Sequence, residues 1–161
     1  MVKALATIFI YLSPVVAFAP VTIAIDPSNA IIKQIIANKP DISPAYAKRI
    51  ATSINNLSKK HKIPANIFAA ILMQESRYTL NSVNKKSRDF GISQINWRTI
   101  KSYKFDKKKL MGNLEYSLEA GAIVLKDFMV RFKHEQKWWT RYNGSKSENR
   151  KRYLAQVERF F

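Results

Sequence analysis

The sequence contains no cysteine. Disulfide staples and thiol catalysis are excluded together, so packing alone holds the fold, inside or outside the cytoplasm. Histidine is nearly as scarce. His61 and His134 stand far apart, too few and too separate for the ligand clusters that hold zinc, and neither a metal nor an organic cofactor is expected. Acidic residues number 11 against 28 basic ones, a formal net charge of +17. Such a surplus draws in polyanions, which leaves nucleic acid, anionic lipid and anionic cell-wall polymer as partner classes. Internal repeats and low-complexity stretches are also missing.

Apolar residues are plentiful: 47% of the chain is hydrophobic and 12% aromatic. That is enough apolar surface to offset the entropy lost on folding, and 161 residues give room for one domain with a real core.

One local absence is informative. Between Lys3 and Asp26 lie 22 residues without a charge, long enough for a helix to cross a bilayer core of roughly 30 Å. Residues 1–26 are therefore expected to be a signal peptide or a membrane anchor. Lys3 with Ala17-Phe18-Ala19 or Thr22-Ile23-Ala24 fits a cleavable signal, whereas an uncleaved helix kinked at Pro14 and Pro20 would tie the protein to the membrane. Either version exports the remainder. Residues 27–42, with Pro27, Pro40 and the apolar run Ala30 to Ala37, read as a tether carrying one helical piece, and the folded domain as 43–161.

Helical periodicity dominates that domain. Ser43-Pro44 is an N-cap followed by proline at the first helical position, and Tyr46, Ile50, Ile54 and Leu57 continue at spacings of three and four to about Lys60. Pro64 opens a second helix, apolar nearly all round from Ile67 to Met73, the pattern of a central buried helix. Glu75 falls in its last turn. From Arg77 to Asn96 short polar clusters with Asn81, Asn84 and Gly91 indicate a loop or small hairpin. Helical character returns at 96–103, again from Asn113 to Lys133 with Leu114, Leu118, Leu125 and Phe128 on one face, and finally at 138–142 and 148–161. The basic run Lys107 to Lys109 reads as a solvated face.

Glu75 carries the chemistry. A carboxyl at the C-terminal end of a buried helix meets the negative end of the helix dipole and apolar neighbours, and both disfavour its ionised form. A carboxylic acid with a raised pKa is what protonates the leaving oxygen of a glycosidic bond. Asp89 is the local candidate for an ionised partner, with Lys85, Lys86 and Arg88 beside it to keep it charged. Spacing alone leaves plainer roles open for both, a solvated helix end and a turn residue.

Three stretches in order, I-L-M-Q-E-S-R-Y, D-F-G-I-S-Q-I-N and R-Y-N-G-S, resemble the lytic transglycosylases of the soluble-lytic-transglycosylase type, within the lysozyme-like superfamily. The resemblance runs from about Ser43 to the C-terminus. It implies a mainly α, lysozyme-like domain with a small loop or β-hairpin region lining the cleft. By residue, it makes Glu75 the catalytic acid and then base, has Ser76 support the reacting sugar, makes Gln94 a substrate hydrogen-bonder and Tyr142 a partner to Glu75, and has Asn143 shape the nearby turn. Without it, Gln94 reads as a surface polar residue and Tyr142 as a core aromatic.

The implied activity is cleavage of the β-1,4 bond between N-acetylmuramic acid and N-acetylglucosamine with 1,6-anhydromuramoyl ends. Peptidoglycan strands are the implied partner, with the membrane as a second one if the N-terminal segment is retained. No specific nucleic acid is expected. The implied site of action is the periplasm, the inner membrane facing it, or a phage virion, since small enzymes of phage, secretion and conjugation systems show a similar blend of motifs.

The chain also departs from the pattern. The family often has Gly-Leu-Met-Gln where this chain has Gly91-Ile92-Ser93-Gln94, and Ala-Tyr-Asn where it has Arg141-Tyr142-Asn143. Asp89 matches the Asp-x-Gly-(Ile/Leu)-x-Gln-Ile-Asn of animal-type lysozymes, which keeps a hydrolysing muramidase as an alternative. A basic, nonenzymatic nucleic-acid binder using Trp97, Trp138 and Trp139, or a membrane-active protein, is the reading from composition alone.

Overall fold

The computed structural model describes residues 27–144 and 147–161. The expected signal or anchor at 1–26 lies outside them, and among the described residues no helix is long and apolar enough to cross a membrane.

Seven α-helices, one 3₁₀ segment and a small sheet make up the described chain. Helix α1, Pro27–Asn38, occupies the stretch expected to be a tether with one helical piece. Its Ile31 and Ile35, and Ile42 just beyond, lie in the same apolar core as the following helices. Apolar residues four apart present one face, and burying that face against α2 and α3 makes the segment part of the domain.

Helix α2, Pro44–His61, starts as its sequence predicts: the Ser43 hydroxyl accepts from the Tyr46 amide at 3.3 Å, and Pro44 takes the first position. Ile50, Ile54 and Leu57 are buried. Helix α3, Ala65–Ser76, begins one residue after Pro64 and is buried at every position from Ile67 to Met73. It packs against α1, α2 and the last helix. A fully buried Leu, Ile or Phe contributes roughly 1.5–3 kcal/mol, and this central run supplies Ile67, Phe68, Ile71 and Leu72 to the core.

The end of α3 is strongly determined. Arg77 and Tyr78 both take left-handed conformations, with φ of 52° and 60°, and the Arg77 amide closes on Met73 O at 3.0 Å. The Tyr78 hydroxyl, buried, donates back to Ala69 O at 3.1 Å. Glu75 therefore rides on a turn with little freedom.

The loop or small hairpin expected over 77–96 is a three-stranded antiparallel sheet in the order β1 (Val83–Asn84), β2 (Asp89–Phe90), β3 (Ile95–Asn96). Asp89 pairs with Asn84 on one side and Asn96 on the other. Helix α4, Trp97–Ser102, follows at once. The basic run 107–109 is the solvated face expected of it, and it also opens helix α5, Lys107–Gly112, capped by Asp106, which accepts from the Lys108 and Lys109 amides. The lysines are exposed, but Leu110 behind them is fully buried.

Helix α6, Leu114–Arg131, is capped by Asn113, whose side chain accepts from the Tyr116 amide at 2.9 Å. A 3₁₀ segment, Trp138–Asn143, and helix α7, Ser147–Glu158, complete the fold. A larger apolar cluster joins α1, α2, α3, α6 and α7. A smaller one, Phe90, Ile95, Ile100, Leu110, Ala120 and Val124, joins the sheet, α4 and α5 to the other side of α6. Tyr142 packs against both. The mainly helical architecture with its small sheet fits the expected lysozyme-like fold.

Candidate active site

A cleft of about 280 Å³ opens where the two clusters meet, with Glu75, Asp89, Gln94, Tyr142 and Asn143 in its walls. Five of the six residues expected at a site are thus brought together. The sixth, Ser76, is not among the lining residues. It is buried, and its hydroxyl donates to Leu72 O at 3.2 Å, one turn back along α3, the usual retreat of a serine inside a helix.

Glu75 is the most perturbed carboxyl. Burial pushes its pKa from 4.5 up to about 7, the Tyr153 hydroxyl pulls it back down, and the negative charge of Asp89 raises it again. The Tyr153 hydroxyl, from α7, donates to Oε1 of Glu75 at 2.6 Å. Resemblance assigned the partnership with Glu75 to Tyr142, but the Tyr142 hydroxyl donates to Ser93 O at 2.7 Å instead. Tyr142 braces the loop after β2, and Tyr153 holds the acid.

Burial, and then the charge of Glu75, lift the pKa of both tyrosines well above 10, so both hydroxyls keep their protons. A signal for Tyr153 was present in the sequence. A tyrosine in the apolar face of a helix must find a partner for its hydroxyl, but the partner lies 78 positions away.

Asp89 is held from two sides. Its Oδ2 accepts from the Ser87 hydroxyl, and its Oδ1 accepts from the Asn96 side-chain amide at 2.7 Å. Asn96 is fixed in turn, because its Oδ1 caps α4 by accepting from the Arg98 amide at 3.0 Å and its Nδ2 also donates to Ser87 O at 2.8 Å. Lys85, Lys86 and Arg88, expected to keep Asp89 charged, form no ion pair with it among the described residues. Its hydrogen-bond donors are instead the neutral side chains of Ser87 and Asn96. Ser87 and Asn96, which sequence reasoning missed, are therefore part of the site.

The loop between β2 and β3 is docked on α6 by two glycines. Gly91 has a φ of +79°, and a Cβ there would stand 2.6 Å from Leu110 O and 2.8 Å from Ser117 Oγ. A Cβ on Gly121, in α6, would stand 2.2 Å from Ser93 Oγ. Serine at 93, where the resembling family often has methionine, fits because the side chain is fully buried against that helix. Gln94, with a φ of 45°, donates its amide nitrogen to Ser82 O at 3.1 Å and Gly91 O at 2.8 Å. Its amide end is thereby engaged with the backbone on both sides of β2.

Arg141, another departure, makes a forked ion pair with Glu135, which also accepts from Arg150 of α7 at 3.1 Å. Its guanidinium lies 4.5 Å from the Phe132 ring centre. The 3₁₀ segment that carries Tyr142 and Asn143 is thereby tied to α7, the helix that carries Tyr153. Among the described residues no group of three or more His, Cys, Asp or Glu side chains is placed to hold a metal.

This arrangement offers a carboxylic acid poised near neutral pH in the same cleft as a second carboxyl fixed by two hydrogen bonds. That is the equipment for breaking an acetal. In comparison with known families, the model for the transglycosylase SLT domain matches residues 52–159, which takes in every residue discussed at the cleft. Comparison with curated proteins and with solved structures returned no match.

Proposed function

The chain belongs to the transglycosylase SLT domain family, and on that premise we propose that this peptidoglycan-lytic enzyme cleaves the β-1,4 bond between N-acetylmuramic acid and N-acetylglucosamine, forming 1,6-anhydromuramoyl ends. The observation that carries the reading is Glu75, a carboxyl in the cleft wall whose pKa is raised to about 7 by burial. Near neutral pH it holds a proton to give.

The steps balance without water. Glu75 passes its proton to the linking oxygen as the bond from that oxygen to the muramoyl C1 breaks, and positive charge builds on C1 and the ring oxygen. Asp89 lies in the wall beside it and opposes that charge. The muramoyl C6 hydroxyl then attacks C1, and its proton returns to the Glu75 carboxylate. Tyr153 orients that carboxylate through the bond to Oε1. Gln94, Tyr142 and Asn143 line the space for the sugars.

A muramidase is the second reading, favoured by the presence of Asp89 in the cleft. Both Asp89 oxygens accept hydrogen bonds, which lowers their nucleophilicity and supports an electrostatic role over a covalent one. Mass spectrometry of digested sacculi separates the two: anhydro ends support the transglycosylase, and reducing muramic ends would assign the enzyme to hydrolysis. Action outside the cytoplasm is part of the proposal, supported by the uncharged N-terminal segment and by where the substrate lies.

A further inference from the structure

Three cations converge on one indole at the rim of the cleft. The Arg88 guanidinium carbon lies 5.4 Å from the Trp97 ring centre, Lys101 Nζ 5.2 Å and Lys107 Nζ 5.8 Å. Lys107 Nζ also stands 4.0 Å from the centre of Phe90. They come from three elements, the β1–β2 turn, α4 and α5, so the fold gathers them. Arg98 adjoins the group, and all four are exposed.

Among the described residues none of the four takes part in an ion pair. The neighbouring acids are already engaged, Asp106 in capping α5 and Asp89 with Ser87 and Asn96. An aromatic face attracts each cation but relieves little of their mutual repulsion, which a bound anion would remove.

The position of the group says which anion fits. A depression lined by Ser87, Arg88, Asn96, Trp97 and Arg98 shares Ser87 and Asn96 with the cleft that holds Glu75. The depression thus adjoins the cleft; Arg88 and Arg98 line it, and Lys101 and Lys107 stand by the same indole. We propose that the Arg88, Lys101 and Lys107 cluster on Trp97 is a subsite for the carboxylates of the peptide stems borne by peptidoglycan strands. This rests on the function proposed above and adds to it a preference for strands that carry charged stems. A nucleic acid fits less well, because sequence-tolerant strand binding needs a run of open stacking faces along a basic groove, and here a single half-buried ring lies among the cations.

The test compares wild type with the triple variant Arg88→Gln, Lys101→Gln, Lys107→Gln on two substrates. One is sacculi purified free of attached polymer; the other is the same sacculi with peptide carboxylates converted to neutral amides. On intact sacculi at limiting substrate the triple variant is expected to be about eightfold slower, a factor of about two for each screened contact. The single variant Lys101→Gln is expected to lose about twofold on the same substrate. On amidated sacculi wild type should fall to the rate of the variant, whose own rate should not change. Salt should erase the wild-type preference, since exposed charges are screened over about 8 Å at physiological ionic strength.

Equal losses on both substrates, or no loss on either, would overturn the subsite. So would a loss seen only when wall polymer is left attached, or one confined to oligonucleotide binding. A wild-type protein that releases no glycan from either substrate refutes the proposed function, and the subsite with it. A working enzyme indifferent to stem carboxylates refutes the subsite alone.

Discussion

The hydroxyl of Tyr153, in the last helix, donates a 2.6 Å hydrogen bond to Oε1 of Glu75, at the end of the central one. The bond favours the ionised carboxylate, while burial and the charge of Asp89 favour the protonated acid, and burial is the largest of the three influences. The balance holds Glu75 near neutrality, where one group can serve as acid and then as base.

Glu75→Gln should lower the rate of glycan release by about a thousandfold, within the range that general acid–base groups contribute, with the fold retained. Stability should respond as well. The folded pKa of about 7 lies above the ordinary value of 4.5, so protonation stabilises the folded state. That contribution is fully present below about pH 4.5 and is lost as pH rises through about 7, by roughly 3 kcal/mol at most. Urea unfolding of wild type should show this decline, and Glu75→Gln should remove it.

Tyr153→Phe should move the alkaline limb of the rate profile to higher pH. Removing the donor takes away the one influence that lowers the Glu75 pKa, so the acid stays protonated further into the alkaline range. The rate itself should drop about tenfold through poorer orientation of the carboxyl. A rate loss without movement of the limb would mean that Tyr153 acts only through packing.

Asp89→Asn should move the same limb the other way, because the charge of Asp89 raises the Glu75 pKa. Loss of the opposing charge in the transition state is expected to slow the reaction about a hundredfold. Anhydro ends should remain the product. A switch in product, measured by mass spectrometry, would show that Asp89 selects the route and does more than stabilise charge.

Gly121→Ala tests how the cleft wall is built. Its Cβ would sit 2.2 Å from Ser93 Oγ, forcing the β2–β3 loop off α6 and carrying Gln94 and the Tyr142 acceptor with it. A loss of about 1–3 kcal/mol is expected from such overpacking, read as a lower thermal midpoint together with lower activity. Adding Ser93→Gly, which makes room for the new methyl, should restore part of both.

The sequence by itself determined the features that depend on neighbours along the chain. Ser43-Pro44 and Asn113 announce two helix starts, the unbroken apolar run from Ile67 to Met73 marks the central helix, and Glu75 in its last turn follows from counting. Period and capping are local physics, so they survive without tertiary information. The stretch 107–112 was less legible, since Asp106 caps a helix too short to display a period and only Leu110 is buried.

Tertiary structure decided which groups meet. Tyr153, not Tyr142, reaches Glu75; Ser87 and Asn96, not the nearby cations, hold Asp89; and Ser76 turns back into its own helix. Ile31 and Ile35 join the core because α2 and α3 offer a face to cover, which an isolated apolar run does not reveal. The cations around Trp97 come together only when the β1–β2 turn, α4 and α5 pack side by side. Each of these outcomes depends on distances between residues remote in the chain or on competition between nearby partners. Spacing encodes neither; the packing of helices around α3 and α6 sets both.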